Sequence, residues 1–299
     1  MKYIFIVNGR EDKAYIRDEV QKQLNALRTS INYEIYATIG SGDAARYVKV
    51  FCDLHPKDVV TFVACGGDGI VNEVSSGLVG YQDTKSLAVL AIGGTGNDFV
   101  KYFKGYDFTN VNSMVHGSTK PIDIIRVNDN YSINVCNFGF DSVVCNTANA
   151  LIAQGKKNPY KKGVVAAVLI GRYNRINVVA DGEKLGGRRM LLCTLANGCS
   201  VGGEFLCAPR AVIDDGLIEV CYVKPISLVK FLKILPFYTK GEHLDNPKFE
   251  NCIIYRRAKH VEVTSNDLIE LCLDGEMLPG TKFVIDILPK AVNFILPAK

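Results

Sequence analysis

Two strand-to-helix turns almost bare of side chains restrict this chain more than any other feature. The segment FVACGGDGIVNEV (62–74) runs from an apolar strand through three glycines and one aspartate into a helical pattern, and GGTGND (93–98) follows the next apolar run. Around them the periodicity alternates between strands (3–7, 33–38, 58–64 and 86–92) and helices (11–27, 43–54 and 70–79), with Ile16, Val20, Leu24 and Leu27 on one face of the first helix. Strands separated by single helices make a parallel sheet, and every strand-to-helix turn of such a sheet lies on one edge. The two bare turns are therefore expected to converge. Glycine lets backbone N–H groups approach a ligand, and the helix expected near Ile70 adds the positive end of its dipole. Such a surface holds phosphate.

Neither turn fits G-x-x-x-x-G-K-[ST] or G-x-G-x-x-G, which argues against a P-loop NTPase and an ordinary dinucleotide fold. What the turns carry is acid. Asp68 and Asp98 beside phosphates would repel them unless a cation stood between, and Mg²⁺ takes hard oxygen ligands while keeping several waters. Taken singly, Asp98 also reads as an N-cap for DFVKYF and Asp68 as a turn residue. Their joint placement favours an Mg-nucleotide.

At 299 residues the chain exceeds the size at which one core usually keeps growing. After about residue 120 the texture becomes β-rich, with short runs punctuated at Asn128, Asp181, Gly186, Asp215, Asp274 and Leu278. Two domains are expected, an α/β domain over 1–120 and a mainly antiparallel β domain over 121–299, the boundary lying near Lys120-Pro121. The last strand, 292–296, could return to either. Helical stretches at 161–173 and 226–238 interrupt the β half. A formal charge of +4 is too small for a nucleic-acid coat, so no nucleic-acid partner is expected. Basic clusters at Lys156, Lys157, Lys161 and Lys162 and at Arg256, Arg257 and Lys259 read first as solvated faces. Ten scattered cysteines without C-x-x-C suit reduced thiols. The opening MKYIFIVNGR reads as a first strand rather than a signal peptide, and the longest apolar run, Val164 to Ile170, is far short of the ~20 residues of a membrane span.

Four motifs in order make the sequence similar to the diacylglycerol-kinase-like lipid kinases, the family of bacterial diacylglycerol kinases and of sphingosine and ceramide kinases. They are Gly66-Gly67-Asp68-Gly69 with Val71-Asn72-Glu73-Val74, Gly94-Thr95-Gly96-Asn97-Asp98-Phe99, APRAVIDDGLIEV (208–220), and Leu273-Asp274-Gly275-Glu276. NAD kinases share the first motif and the fold, but the second and fourth resemble the lipid branch. The resemblance implies a nucleotide-binding α/β domain, a β-sandwich-like second domain, and a cleft between them in which ATP phosphorylates a lipid hydroxyl. It implies nucleotide contacts from Gly66, Gly67, Asp68, Gly69, Thr95, Gly96, Asn97 and Asp98, with Asn72 and Glu73 supporting the helix start. Thr38 matches a family threonine that contacts nucleotide. Of the family's first-strand ending, N-P-x-S-G-[KR], only Asn8 and Lys13 match. Ile70 stands where the family usually has threonine.

Phosphoryl transfer to an alcohol needs alignment, charge neutralisation and a carboxylate to take the hydroxyl proton. D-G-E occurs twice, at Asp181-Gly182-Glu183 and at Asp274-Gly275-Glu276, and spacing alone does not separate the two from each other or from ordinary hairpin turns. The resemblance selects Glu276 as the base, Asp123 as the acid that partners it, and Glu183 as the decoy. It also suggests a second, structural Mg²⁺ at Asp214 and Asp215, where D-D-G reads equally as a hairpin. His55, His116, His243 and His260 show no metal-ligand spacing, and G-x-S-x-G is absent. A lipid substrate demands a docking surface on the membrane. The segment 224–240 offers Lys224, Lys230 and Lys233 among Leu228, Phe231, Leu232, Leu235 and Phe237, a pattern that a helix packed on its own domain explains equally well. The cluster from Lys156 to Lys162 is an alternative. The expectation is a cytoplasmic lipid kinase, peripheral to the inner face of the membrane, using ATP and Mg²⁺ on diacylglycerol. A homodimer is compatible with this reading. The rivals are an NAD kinase and a non-catalytic nucleotide- or lipid-binding regulator.

Overall fold

The structure, a computed structural model, describes residues 1–156, 162, 163, 175–187 and 189–299. The expected helix at 161–173, Lys157 and Lys161 lie wholly or mostly outside these. The chain divides into one unit of Met1–Ile124 with Pro289–Lys299 and another of Ile125–Leu288.

In the first unit, β1 (Lys2–Asn8), β2 (Asn32–Thr38), β3 (Val60–Cys65) and β4 (Lys85–Leu90) form a parallel sheet in the order β2-β1-β3-β4. The end of β14 (Glu276–Leu296) joins β4 in parallel through Phe294 and Leu87. All six residues of β3 are buried, as expected of a strand covered on both faces. Helices α1 (Ala14–Asn25), α2 (Asp43–Leu54) and α3 (Asp68–Leu78) do the covering, each through apolar positions three or four apart: Ile16, Val20 and Leu24 on α1, Val71, Val74 and Leu78 on α3. The short α4 (Val111–Val115) adds Val111 and Met114 to the same core. A helix expected after Asp98 is only one 3-10 turn, Val100–Tyr102. Aromatic packing overrides the helical pattern there: the Phe99 ring meets Phe294 edge-on at 5.3 Å and Phe103 stacks on Phe294 at 4.9 Å, which draws both side chains inward.

The second unit is antiparallel. Its strands are β5 (Ser118–Val127), β6 (Asn130–Ser132), β7 (Val135–Gly139), β8 (Ile176–Ala180), β9 (Glu183–Leu185), β10 (Leu192–Ala196), β11 (Ile218–Val223), β12 (Ile253–Ala258), β13 (His260–Leu273) and the first part of β14. The main order is β12-β11-β10-β7-β13-β14, with the β8–β9 hairpin beside β13 and the β5–β6 hairpin beside β14. The chain changes unit within β5 and again within β14. Alternate residues of β10 and β11 face two cores. Cys193, Leu195, Val220 and Tyr222 enter the sandwich interior, while Leu192, Ala196, Cys221 and Val223 meet the helical side. Helices α5 (Phe140–Ala153) and α6 (Leu228–Lys240) cover that second core. Ser227 caps α6 and Gly241 ends it. The turn expected at L-P-G lies inside β14: Pro279 pairs with Glu270 beside a register shift between Thr264 and Ile269, an irregular place where a sheet tolerates proline.

Candidate functional site

At the edge of the first unit's sheet, parallel register places Asn8 and Thr38 side by side at the ends of β1 and β2, and β3 and β4 lead into the two glycine turns. Helix α3 begins at Asp68, with Gly67 in extended conformation ahead of it. The turns touch. A Cβ built on Gly67 would lie 3.0 Å from Gly94 Cα, and one on Gly94 would lie 2.7 Å from Gly67 Cα. Only glycine at both positions permits that approach, which brings the N-terminus of α3 against the second turn.

Two carboxylates face this junction. A Cβ on Gly96 would lie 2.9 Å from Asp68 Oδ2 and 3.0 Å from Asp98 Oδ2, so both oxygens converge on the bare face of Gly96. The Phe99 N–H donates to Asp68 Oδ1 at 3.0 Å, and Lys101 Nζ donates to Asp98 Oδ1 at 2.8 Å. Burial pushes the Asp68 carboxyl above the usual carboxylate range; the Phe99 hydrogen bond opposes this and the neighbouring Asp98 charge adds to it. Asn97 sits at φ 51°, with its Oδ1 buried and no hydrogen-bond donor among the described residues. A polar ligand or its water would satisfy it.

The other expected residues divide. Asn8 Oδ1 accepts from the Arg10 N–H, and Lys13 Nζ lies 6.0 Å from the Tyr15 ring centroid. Thr95 is exposed. Asn72 is buried in α3, and Glu73 Oε2 accepts from the Ala44 N–H at 3.0 Å, so Glu73 satisfies the start of α2. Asp123 is fully buried in β5 and accepts from the Lys290 N–H at 2.7 Å. Sequence reasoning missed Tyr15, whose hydroxyl would touch a Cβ placed on Gly93, and Lys101, which neutralises Asp98. An i, i+3 spacing was the only signal for the latter pair. Ile70 lies over Gly66, its Cγ2 3.0 Å from where a Cβ would stand.

In the second unit Glu276 opens β14 and is exposed, and its side chain makes no hydrogen bond or ion pair with the described residues. Asp274 ahead of it is at φ 45° and Gly275 at φ 99°. Asp274 Oδ2 accepts from Ser132 Oγ (2.8 Å), Ile133 N–H (2.8 Å) and Asn134 N–H (3.2 Å), and Oδ1 accepts from Val135 N–H (2.8 Å). Glu183, in the other triplet, is exposed and 3.6 Å from Arg256. Cys145 and Cys272 lie behind the second triplet. Their mutual hydrogen bond, then burial, holds the Cys272 thiol well above its usual range.

Mg²⁺ is bound by one or two carboxylates together with substrate phosphates and water, and the converging oxygens of Asp68 and Asp98 fit that donor set. The third motif fits less well. Asp215 Oδ1 accepts from the Leu217 N–H at 3.0 Å, its Oδ2 pairs with Arg257, and Arg257 Nε also donates to the buried Glu219 at 3.0 Å. The Arg257 guanidinium therefore already supplies a positive charge to Asp215 and Glu219. Among the described residues no three His, Cys, Asp or Glu side chains form a metal-holding group.

Comparisons with known proteins identify the family and the fold. The family described as Diacylglycerol kinase catalytic domain matches residues 2–127, and the YegS C-terminal NAD kinase beta sandwich-like domain matches residues 134–296. A diacylglycerol kinase of Bacillus subtilis (strain 168) is 32% identical over 255 residues, covering 82% of this chain and 80% of that protein. A protein of Serratia proteamaculans (strain 568) named "Probable lipid kinase YegS-like" is 30% identical over 307 residues, covering 98% and 93%. Among solved structures, a diacylglycerol kinase from Bacillus anthracis str. Sterne has a TM-score of 0.71 at 22% identity, over 99% of this chain and 96% of that one. An NAD kinase from Archaeoglobus fulgidus in complex with ATP has a TM-score of 0.51 at 12% identity, over 99% and 94%, a likeness of fold alone. The chain belongs to the diacylglycerol kinase and YegS-like family of lipid kinases.

Proposed function

We propose that this chain transfers the γ-phosphoryl group of ATP, with Mg²⁺, to the hydroxyl of a membrane lipid, diacylglycerol before others. The observation that carries the reading is the meeting of the Gly67 and Gly94 main chains with the Asp68 and Asp98 oxygens converging beside them. Uncovered amides at the start of α3 suit phosphate. Asp68 and Asp98 would hold Mg²⁺, which when bound neutralises phosphate charge. Glu276 accepts the hydroxyl proton as the lipid oxygen bonds phosphorus and ADP leaves. An exposed carboxylate without a protein partner is suited to that role. Asp123 stays buried as a structural or assisting acid.

A lipid acceptor requires the protein to reach a bilayer. Among the described residues no helix is long and apolar enough to cross one. Helix α6 supports peripheral docking: it buries Phe231, Ile234 and Tyr238, leaves Val229 (64%) and Leu232 (54%) exposed beside Lys233, and contains no acidic residue. Apolar residues flanked by lysine suit an anionic surface, so the reading places the enzyme at the cytoplasmic leaflet.

A radiolabelled ATP assay with diacylglycerol, other lipid alcohols and NAD tests the whole. Label in the organic phase with diacylglycerol supports the reading, whereas water-soluble product from NAD supports an NAD kinase. ATP binding without turnover on any acceptor supports a regulator. Co-sedimentation with anionic vesicles, reduced by Leu232→Glu, tests the docking face separately.

A further inference from the structure

The two Asp-Gly-Glu turns share a backbone pattern. In both, the aspartate is at φ 45°. In both its N–H donates to a carbonyl of a neighbouring segment, Asp181 to His260 at 2.9 Å and Asp274 to Val135 at 3.1 Å. Both carboxylates accept backbone N–H groups from the same neighbour. The turns part at the glycine carbonyl. Gly275 O accepts a hydrogen bond from Asn149 Nδ2 at 2.8 Å and a weaker one from Cys145 Sγ at 3.4 Å, two side chains one turn apart on α5. Gly182 O has no side-chain donor among the described residues.

That difference bears on Glu276. The Gly275 carbonyl and the Glu276 N–H belong to one rigid peptide plane, so fixing the carbonyl fixes the direction in which Glu276 leaves the turn. Glycine has the widest choice of backbone conformations, and at φ 99° Gly275 uses a region other residues avoid. Ladder pairing of Glu276 with Leu273 holds this peptide on its N–H side, and its carbonyl side is what remains to be fixed. The four donors on the Asp274 carboxylate hold the turn on one side but do not reach the next peptide. Asn149 does.

We propose that Asn149, with Cys145 behind it, is a positioning residue that orients Glu276 for proton abstraction by pinning the Gly275 peptide from α5. The proposal rests on the reading of Glu276 as the base. It also supplies a physical distinction between two triplets that sequence leaves equivalent: among the described residues, only the second has its glycine carbonyl held by a helix side chain.

The experiment uses the full chain with Asn149→Ala, Asn149→Asp and Glu276→Gln, alone and combined. It measures kcat and KM for ATP in the lipid kinase assay, together with amide hydrogen exchange across residues 273–277. Asn149→Ala is expected to lower kcat about 10- to 100-fold, the order of loss for a catalytic group misplaced by about 1 Å, with KM for ATP unchanged and exchange at the turn accelerated. Asn149→Asp keeps the shape but sets a carboxylate against the carbonyl, and is expected to be impaired at least as much. In the Glu276→Gln background Asn149→Ala should cost nothing further, because its effect passes through Glu276. An equal loss in that background, or full kcat with accelerated exchange, overturns the proposal. Wild-type kcat in Glu276→Gln removes the base assignment and the Asn149 role with it, and is recognisable because the turn still loosens in Asn149→Ala. Should Asn149→Ala not fold, Cys145→Ala removes the weaker donor and is expected to give a smaller kcat loss with the same exchange signature; unchanged kcat there counts against the proposal.

Discussion

Replacing Gly94 by alanine probes the junction of the two glycine turns at its narrowest point. A Cβ at that position would lie 1.9 Å from Asn97 Oδ1 and 2.7 Å from Gly67 Cα. Non-bonded carbons settle about 3.5–4.0 Å apart, so the main chains must separate by about 1 Å. A rotamer change relieves the Asn97 clash. Nothing similar relieves the Gly67 clash, where the obstacle is backbone. Overpacking of this kind costs about 1–3 kcal/mol, and shifting ligand-holding groups by about 1 Å costs about 100-fold in rate. Gly69 is the internal control: a Cβ there meets nothing within 4 Å, and the residue lies inside α3, where alanine is favoured over glycine by about 0.5–1 kcal/mol. Urea unfolding should show Gly94→Ala losing stability and Gly69→Ala gaining it. Titration calorimetry with Mg-ATP should show at least about tenfold weaker binding by Gly94→Ala, only partly restored by adding Asn97→Ala. Gly94→Ala with parental stability and parental Mg-ATP affinity would refute the claim that this close approach shapes the site.

Asp68 has a raised pKa in the fold, so its ionised form is disfavoured there, and Mg-ATP affinity should fall with decreasing pH earlier than an ordinary aspartate would allow. Asp68→Asn should abolish this pH dependence and the tight binding while making the ligand-free chain no less stable; a destabilised Asn variant contradicts the assignment. Burial pushes the His243 imidazole down to about 4, so it stays neutral in the fold while the unfolded chain protonates near pH 6.5. Stability is therefore complete above about pH 6.5 and declines by up to about 3 kcal/mol as pH falls towards 4. His243→Phe should flatten that decline in urea titrations at pH 7 and 4.5. Arg257 bridges Asp215 and the buried Glu219, so chelation by EDTA should leave the ligand-free melting temperature unchanged. Arg257→Ala should cost about 2–3 kcal/mol, less than the ~3–5 of a fully buried pair because Arg257 is 40% exposed. A melting temperature that drops on chelation would support a metal at this loop.

Local pattern carried much of this architecture. The apolar run of β3, the spacing of Ile16, Val20 and Leu24 and the bare Gly66–Gly69 turn each depend on residues a few positions apart, and sequence exposes such neighbours directly. The start of α3 at Asp68 rather than near Ile70 shows the usual blur at element ends. DFVKYF and L-P-G misled for a different reason: Phe294 draws in the first, and strand pairing with β13 carries the chain through the second. Both partners are distant in sequence.

By its own letters the chain determined an alternating α/β half, an antiparallel β half, and two acid-bearing glycine turns on one sheet edge, because periodicity and turn chemistry are properties of short windows. Tertiary structure alone decided that Gly67 and Gly94 touch, that Glu73 serves α2 from 29 residues away, and that Asn149 locks Gly275 across 126. Those facts follow from long loops of chain closing on each other, and no window of neighbouring residues contains both ends.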